Sequence, residues 1–257
     1  MMNLMDMTGR NVLVTGAGQG IGLAASKLLY ELGANLTLVD ANRETLDAAA
    51  SVFDAGRVLV LAGSVTDRAF VGSAVEQSAA RFGGVHALLN NAGITRPAMI
   101  DRMTAEQWQQ VIDVNLTGVF NCLQAAGIDM KRRAEAGEAD AGVIVNVSSD
   151  AGRKGTMGQI NYGAAKSGVL GITMSAAREW ARHGIRVNSV AYGIVETDMT
   201  EVVRGPKFRE RSLGNIPLGR FLGPQEAVKA MAFLLSPASS FITGQHLSVN
   251  GGSHITA

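Results

Sequence analysis

The chain has 257 residues, of which 47% are hydrophobic and 18% charged, with a formal net charge of +1. That length suits one large α/β domain over residues 1–257 and is short for two, and the near-neutral charge excludes the broad basic field of a protein whose main partner is nucleic acid. Cys122 is the only cysteine, so no disulfide can form within the chain, and its hydrophobic helical setting predicts a packed thiol. The first residues carry neither the basic segment nor the apolar core of a leader, and no run approaches membrane-spanning length, so a soluble, cytoplasmic protein with no membrane partner is expected.

Residues 11–15 form the first predicted strand, and Gly16, Ala17, Gly18, Gln19, Gly20, Ile21 and Gly22 lead into a helix expected over 21–33. Strand, glycine turn and helix make a phosphate cradle, because amides at a helix start are unpaired, the dipole there is positive, and glycines admit a pyrophosphate closely. The spacing is T-G-x-x-x-G-x-G rather than G-x-G-x-x-G, since Leu23 stands where the third glycine would be. A plain tight turn is the competing reading, and the flanking strand and helix disfavour it. The second strand, 35–40, ends in Asp40, 18 positions after Gly22. A carboxylate there can accept hydrogen bonds from the adenosine ribose and repels a 2′-phosphate, so NAD(H) is expected over NADP(H). Gln19 adds no charge to offset that repulsion; Arg43, at the start of a helix expected over 43–55, is the cation that could, unless it points to solvent.

A strand at 57–62 leads to Ser64 and Val65, a helix covers 67–82, and a strand at 86–90 leads to Asn91, Ala92 and Gly93. One long helix is expected over 104–133, then a small acidic connector, 134–141, expected to be mobile. The hydrophobic run 142–148 reads as a buried strand ending in hydroxyls, a natural place for a hydrogen-bond donor. On the next helix, 159–183, Tyr162 and Lys166 stand four residues apart and share a face. A free tyrosine pays roughly 4 kcal/mol to be a phenolate at neutral pH, and a neighbouring ammonium lowers that cost, so the pair suits acid–base chemistry. A strand at 185–191, a helix at 224–235 and a strand at 245–249 complete the alternation, which predicts an α/β doubly wound parallel sheet binding ligands beyond the carboxyl ends of its strands. His86, His183, His246 and His254 are scattered without ligand spacing, and no metal is expected.

Taken together, Thr15, Gly16, Gly20, Gly22, the segment 90–93, Asn115, Ser149, Tyr162 and Lys166 resemble the short-chain dehydrogenase/reductase family over essentially the whole chain. Segments 93–96, 155–162, 196–200 and 242–252 look like its 3-oxoacyl-acyl-carrier-protein reductase subgroup. The resemblance implies a Rossmann-type sheet of seven parallel strands with helices on both faces, an integral substrate-binding loop at about 193–220, and assembly as a homotetramer. It also implies hydride transfer between a nicotinamide cofactor and a 3-oxoacyl or 3-hydroxyacyl thioester, with acyl carrier protein as a candidate partner. By position, Tyr162 would be the acid or base and Ser149, 13 residues before it, would hold the carbonyl oxygen. Lys166 would lower the tyrosine pKa and bind the nicotinamide ribose, while Asn115 would position a water linking Lys166 to solvent. Asn91, Ala92 and Gly93 would pass beneath the adenosine ribose, and Val195 and Thr197 would meet the nicotinamide carboxamide.

Two departures stand out. Ser64 replaces an acidic or amide residue, which would weaken the hold on adenine, and Tyr192 replaces a proline, which would free a backbone donor and add a ring near the nicotinamide pocket. Lys131, Arg132 and Arg133, with Arg182 and His183, could receive an acidic carrier, although cations also favour helix carboxyl ends. Met99, Met103, Met157 and Met199 are the methionines best placed for an acyl wall, with core packing the plainer reading. The rivals to thioester chemistry are oxidation of another secondary alcohol (a sugar, steroid or cyclic alcohol) and an idle nucleotide-binding scaffold.

Overall fold

A computed structural model describes residues 3–255. Its strands are β1 Asn11–Thr15, β2 Asn35–Asp40, β3 Val58–Ala62, β4 Ala87–Asn90, β5 Val143–Ser149, β6 Arg186–Tyr192 and β7 His246–Val249, each within one residue of its expected bounds. They form one parallel sheet in the order β3-β2-β1-β4-β5-β6-β7. The helices are α1 Gly20–Glu31, α2 Arg43–Ala50, α3 Arg68–Phe82, α4 Ala105–Ile112, α5 Gly118–Glu135, α6 Ala151–Lys154, α7 Ile160–Trp180, α8 Glu201–Arg204, α9 Pro206–Gly214 and α10 Pro224–Leu235.

The period-2 alternation of a strand splits the hydrophobic runs between two cores. Val12, Val14, Leu36, Leu38, Leu89, Val143 and Val145 face one core, closed by Leu29 of α1, Leu46 of α2 and Met231 of α10. Leu13, Val39, Leu88 and Ile144 face the other, closed by Val71 of α3, Leu123 and Met130 of α5, and Ala177 of α7. Helix starts carry their own stops: Asn42 accepts from Thr45, Asp67 accepts from Ala69 and Phe70, and Thr104 with Gln107 forms a capping box. Cys122 packs in the second core, where burial pushes its thiol up to about 12.

Several expectations need correction. The helix expected over 104–133 is interrupted by a π turn, Asp113–Thr117, and its backbone ring closes from the Gly118 N–H to the Asp113 carbonyl. A side chain at Gly118 would lie 2.5 Å from Val65 Cγ2, so helix and β3 loop meet there backbone to side chain. The whole stretch Ala105–Glu135 does have the length and apolar character to cross a membrane, contrary to the expectation that no run approaches it. Half of its most apolar window is buried inside the fold, against α3 and β4, as in a core helix.

Arg133 bonds the connector 134–141 at Glu138 and Ala141. That guanidinium is buried; it donates to the carbonyls of Val85 and Ala141 at 2.6 Å each and to Asp129 at 3.1 Å, and it pairs with Glu138. Arg133 is therefore interior scaffolding rather than part of an exposed basic cluster. Lys131 and Arg132 remain more exposed, paired with Glu135 at 3.5 Å and Asp129 at 2.8 Å. The segment 193–220 holds two short helices, α8 and α9, the latter opened by Pro206 at its first turn.

Candidate active site

Strand order reverses between β1 and β4, and a cleft of about 520 Å³ opens at the carboxyl ends of the strands there. Thr15 and Asn91 close its floor. The Thr15 hydroxyl accepts from the N–H groups of Asn91 and Ala92 at 3.0 Å each, and Asn91 Nδ2 donates to the carbonyls of Thr15 and Gly16 at 3.1 Å each. This staple presses the two strand ends so close that a Cβ on Gly16, at φ +66°, would lie 2.9 Å from Ala92 Cα. A Cβ on Gly22 would lie 1.9 Å from the Gly16 carbonyl oxygen. Only glycine fits either position.

The cradle also suits an anion. Gln19 precedes α1 in extended backbone without a side-chain cap, and no acidic residue lies in the first turn, so the amides at the helix start are left for a ligand. Asp40 holds the turn: its Oδ2 accepts from Gly18 N at 3.0 Å and its Oδ1 from Asn42 N at 3.0 Å. Arg43 turns to Asp47 instead, at 2.7 Å on the solvent side, and offers no cation to the adenosine end. Ser64 lines the cleft with its hydroxyl bonded to Thr66 at 2.8 Å, and Val65 is buried with its carbonyl bonded to Asn121 at 3.0 Å. These residues would fit a nicotinamide dinucleotide, the α1 amides being free to take its pyrophosphate and Asp40 to take its adenosine ribose.

At the other end of the cleft, β5 and α7 bring Ser149, Tyr162 and Lys166 together. Ser148 is not part of this group, because its hydroxyl donates to the Lys166 carbonyl at 2.9 Å and braces α7. Tyr162 is half-buried and lines the cleft; loss of water around its phenol pushes its pKa up to about 12, and the neighbouring Ser149 hydroxyl draws it partly back. Lys166 is almost fully enclosed, donates to the Val147 carbonyl at 2.8 Å, and is pushed down to about 8 by burial. Its Nζ lies 5.6 Å from the Tyr162 ring centre, so the ammonium neighbours the phenol but is held by backbone.

Asn115, buried in the π turn, makes a reciprocal pair with Ile94: Nδ2 donates to the carbonyl and Oδ1 accepts from the N–H, both at 2.8 Å. Its amide thus braces the end of the β4 loop, and a Cβ on Gly93 would lie 3.1 Å from its Oδ1 and 3.7 Å from Lys166 Nζ. Val195 is buried and bridges to Leu222, and Thr197 folds over the glycine turn, its Cγ2 3.4 Å from where a Gly20 side chain would begin. Tyr192, expected to add a ring near the nicotinamide, instead buries that ring in the first core. Its hydroxyl donates to the Ala227 carbonyl on α10 at 2.7 Å, and Gly193 N, after it, donates to Val249. Among the described residues no group of three or more His, Cys, Asp or Glu side chains is placed to hold a metal.

Residues given no role from the sequence complete the scaffold. Asn161 Nδ2 reaches the carbonyls of Arg96 and Gln107 at 3.0 Å each and fixes the start of α7 one residue before Tyr162. Asn90 and Asn146 bond across β4 and β5 at 2.9 Å, and Asn146 reaches Thr173 at 3.0 Å. Their signal was present: amides inside otherwise apolar strands are costly unless paired.

A family profile described as Enoyl-(Acyl carrier protein) reductase matches residues 16–254. The 3-oxoacyl-[acyl-carrier-protein] reductase FabG of Thermotoga maritima is 42% identical over 250 residues, 96% of this chain and 99% of that relative. The protein of the same name from Escherichia coli is 40% identical over 252 residues, 98% of this chain and all of that relative. Among solved structures, a short-chain dehydrogenase/reductase of Brucella melitensis described as a glucose/ribitol dehydrogenase superposes with a TM-score of 0.91 at 33% identity, covering 99% of this chain and 100% of its own. Levodione reductase superposes with a TM-score of 0.89 at 33% identity, covering 96% and 98%. With its seven-stranded Rossmann-type sheet and this degree of identity over nearly its full length, the chain belongs to the short-chain dehydrogenase/reductase family.

Proposed function

We propose that the chain reduces the 3-keto group of a 3-oxoacyl thioester, preferring NAD(H), with Tyr162 as proton donor. The observation that carries this reading is that Ser149, Tyr162 and Lys166 line one end of the same cleft, together with the higher identity to relatives named as 3-oxoacyl reductases than to the two solved structures. When bound, the nicotinamide supplies the hydride. Ser149 and Tyr162 then both address one oxygen: Ser149 holds the carbonyl oxygen, and Tyr162 gives a proton to the alkoxide that develops there. Two donors on one oxygen suit alcohol formation, whereas saturating an enoyl double bond requires a proton delivered to carbon.

A phenol held near 12 is protonated at neutral pH and so available as the proton donor. Lys166 orients the nicotinamide ribose and keeps positive charge beside the phenol. Asn115, its side chain committed to Ile94, acts as a brace, and any water it positions toward Lys166 would use its main-chain carbonyl. Asp40 supports NAD(H), since Arg43, three residues on, is paired with Asp47 instead. Acyl carrier protein as the thioester's bearer, a homotetramer and a cytoplasmic setting belong to the same reading. A cofactor-oxidation assay tests it with acetoacetyl thioester, crotonyl thioester, simple ketones, and the sugar and cyclic alcohols of the rival reading. Turnover confined to sugars or cyclic alcohols would replace this reading with the rival one.

A further inference from the structure

Asp150 follows Ser149 at the end of β5 and is only 5% exposed, an acidic side chain in the interior with no part in the proton chemistry above. Asn250, just past β7 and 100 residues away in sequence, donates from Nδ2 to both of its oxygens at 2.9 and 3.1 Å. Ser253 Oγ adds a bond to Oδ2 at 2.7 Å, and Lys154 Nζ lies 3.5 Å from the same oxygen. The segment after β7 is wound onto this carboxylate: Asn250 Nδ2 also donates to the His254 carbonyl, and Lys154 to the Ser253 carbonyl, each at 3.0 Å. A buried carboxylate needs such partners, because leaving it unpaired costs more than the surrounding turn can bear without moving.

Both ends of this tie touch the cleft. On one side, Asp150 N donates to the Tyr192 carbonyl at 2.9 Å, the same oxygen that the Ser149 hydroxyl reaches at 3.5 Å, and Ala151 N donates to Ser149 Oγ at 3.2 Å. The Ser149 hydroxyl thus sits between two backbone groups whose spacing is set by the turn that Asp150 anchors. On the other side, a Cβ on cleft-lining Gly193 would lie 3.1 Å from Asn250 Cβ, so Asn250 fills the space behind the strand end after Tyr192.

We propose that Asp150 is a positioning residue for the reaction: by locking the turn 149–151 to Asn250 and Ser253, it sets the aim of the Ser149 hydroxyl at the substrate oxygen. The inference rests on the carbonyl-binding role given to Ser149 above. Misplacing a reacting group by about 1 Å costs on the order of 10²-fold in rate. Asp150→Ala is therefore expected to lower kcat by about that factor, with NADH affinity, read by fluorescence, within about threefold of the parent. The isotope effect on kcat from deuterated NADH should rise as chemistry becomes limiting, a change that mere loss of folded enzyme does not produce. Asp150→Asn keeps the shape but sets amide against amide, and should lose activity; the exchange Asp150→Asn with Asn250→Asp restores a donor facing an acceptor and should recover most of it, as a coupled pair requires.

An Asp150→Ala enzyme with parental kcat, a loss matched by an equal loss of NADH affinity, or an exchange variant no better than the worse single variant would overturn the inference. Ser149→Ala run alongside separates two failures. Full activity in Ser149→Ala removes the carbonyl-binding role and the inference with it; a crippled Ser149→Ala beside a fully active Asp150→Ala removes the inference alone.

Discussion

Removing the carboxylate of Asp40 should narrow the preference for NADH. Both its oxygens face the turn, bonded to the N–H groups of Gly18 and Asn42 at 3.0 Å, and each keeps a lone pair for a ribose hydroxyl. A 2′-phosphate set there brings a charge of about −1.5 to −2 beside the carboxylate. Unit charges about 4 Å apart repel by ~4 kcal/mol at an effective dielectric of 20 and by ~1 kcal/mol in bulk water. Asp40 is half-buried, so screening places the repulsion between these limits. Adding about 1 kcal/mol for the lost ribose hydrogen bond gives ~2–5 kcal/mol, or about 30- to 5,000-fold in kcat/KM. Arg43, paired with Asp47 at 2.7 Å, does nothing to relieve it. The assay compares kcat/KM for NADH and NADPH, at saturating acetoacetyl thioester, in the parent and in Asp40→Ala. Because Asp40→Ala also strips the Gly18 N–H of its acceptor, both cofactors should weaken, and the ratio is the readout. We expect that ratio to fall to within about tenfold of unity, and the parental preference to shrink with added salt. A parent that prefers NADPH, or a ratio unchanged in Asp40→Ala, would refute the reasoning.

Tyr162→Phe should keep NADH affinity while kcat falls about 10²- to 10⁴-fold, the worth of a general acid; kcat close to the parent's at saturating cofactor would remove Tyr162 from its role. Lys166, with its pKa near 8 in the free enzyme, carries charge below that pH and loses it above, while the phenol, near 12, stays protonated throughout. The pH profile of kcat/KM for reduction should therefore decline through about 8 and lose that inflection in Lys166→Met; an inflection that survives belongs to another group. Arg133→Met leaves the carbonyls of Val85 and Ala141 and part of Asp129 without their donor, so about 3–5 kcal/mol of stability should go, seen as a melting point roughly 6–20 °C lower. Reversing the charges of Lys131, Arg132 and Arg182 should raise KM for carrier-bound substrate while sparing a small thioester; equal effects on both substrates would mark these cations as helix-end features only.

Much of this architecture was legible because period and punctuation agree. Seven apolar runs with period-2 faces, separated by capped helices, leave little choice of fold, and the glycine turn, Asp40 and the Tyr162–Lys166 spacing fall at strand ends where the fold must place a ligand. What escaped prediction depends on partners distant in sequence. The π turn at Asn115 arises from its pairing with Ile94 and from Gly118 meeting Val65, neither visible in helical periodicity. Tyr192 read as a ring at the pocket because local sequence does not say which face of a strand end is turned inward; its bond to Ala227 decides that. Arg133 looked like surface charge until the carbonyls of Val85 and Ala141 came within its reach. Asp150 drew no notice, since its partner Asn250 lies 100 residues on.

The central claim, hydride delivery to a 3-keto carbon with Tyr162 supplying the proton, is tested most directly by one single-turnover experiment. The enzyme is mixed with acetoacetyl thioester and deuterated NADH, in parallel with crotonyl thioester, and the products are read by mass spectrometry. One deuterium on C3 of a 3-hydroxybutyryl thioester, with crotonyl thioester untouched, is the predicted result. Consumption of crotonyl thioester with acetoacetyl thioester unchanged would contradict it and would point to double-bond reduction instead.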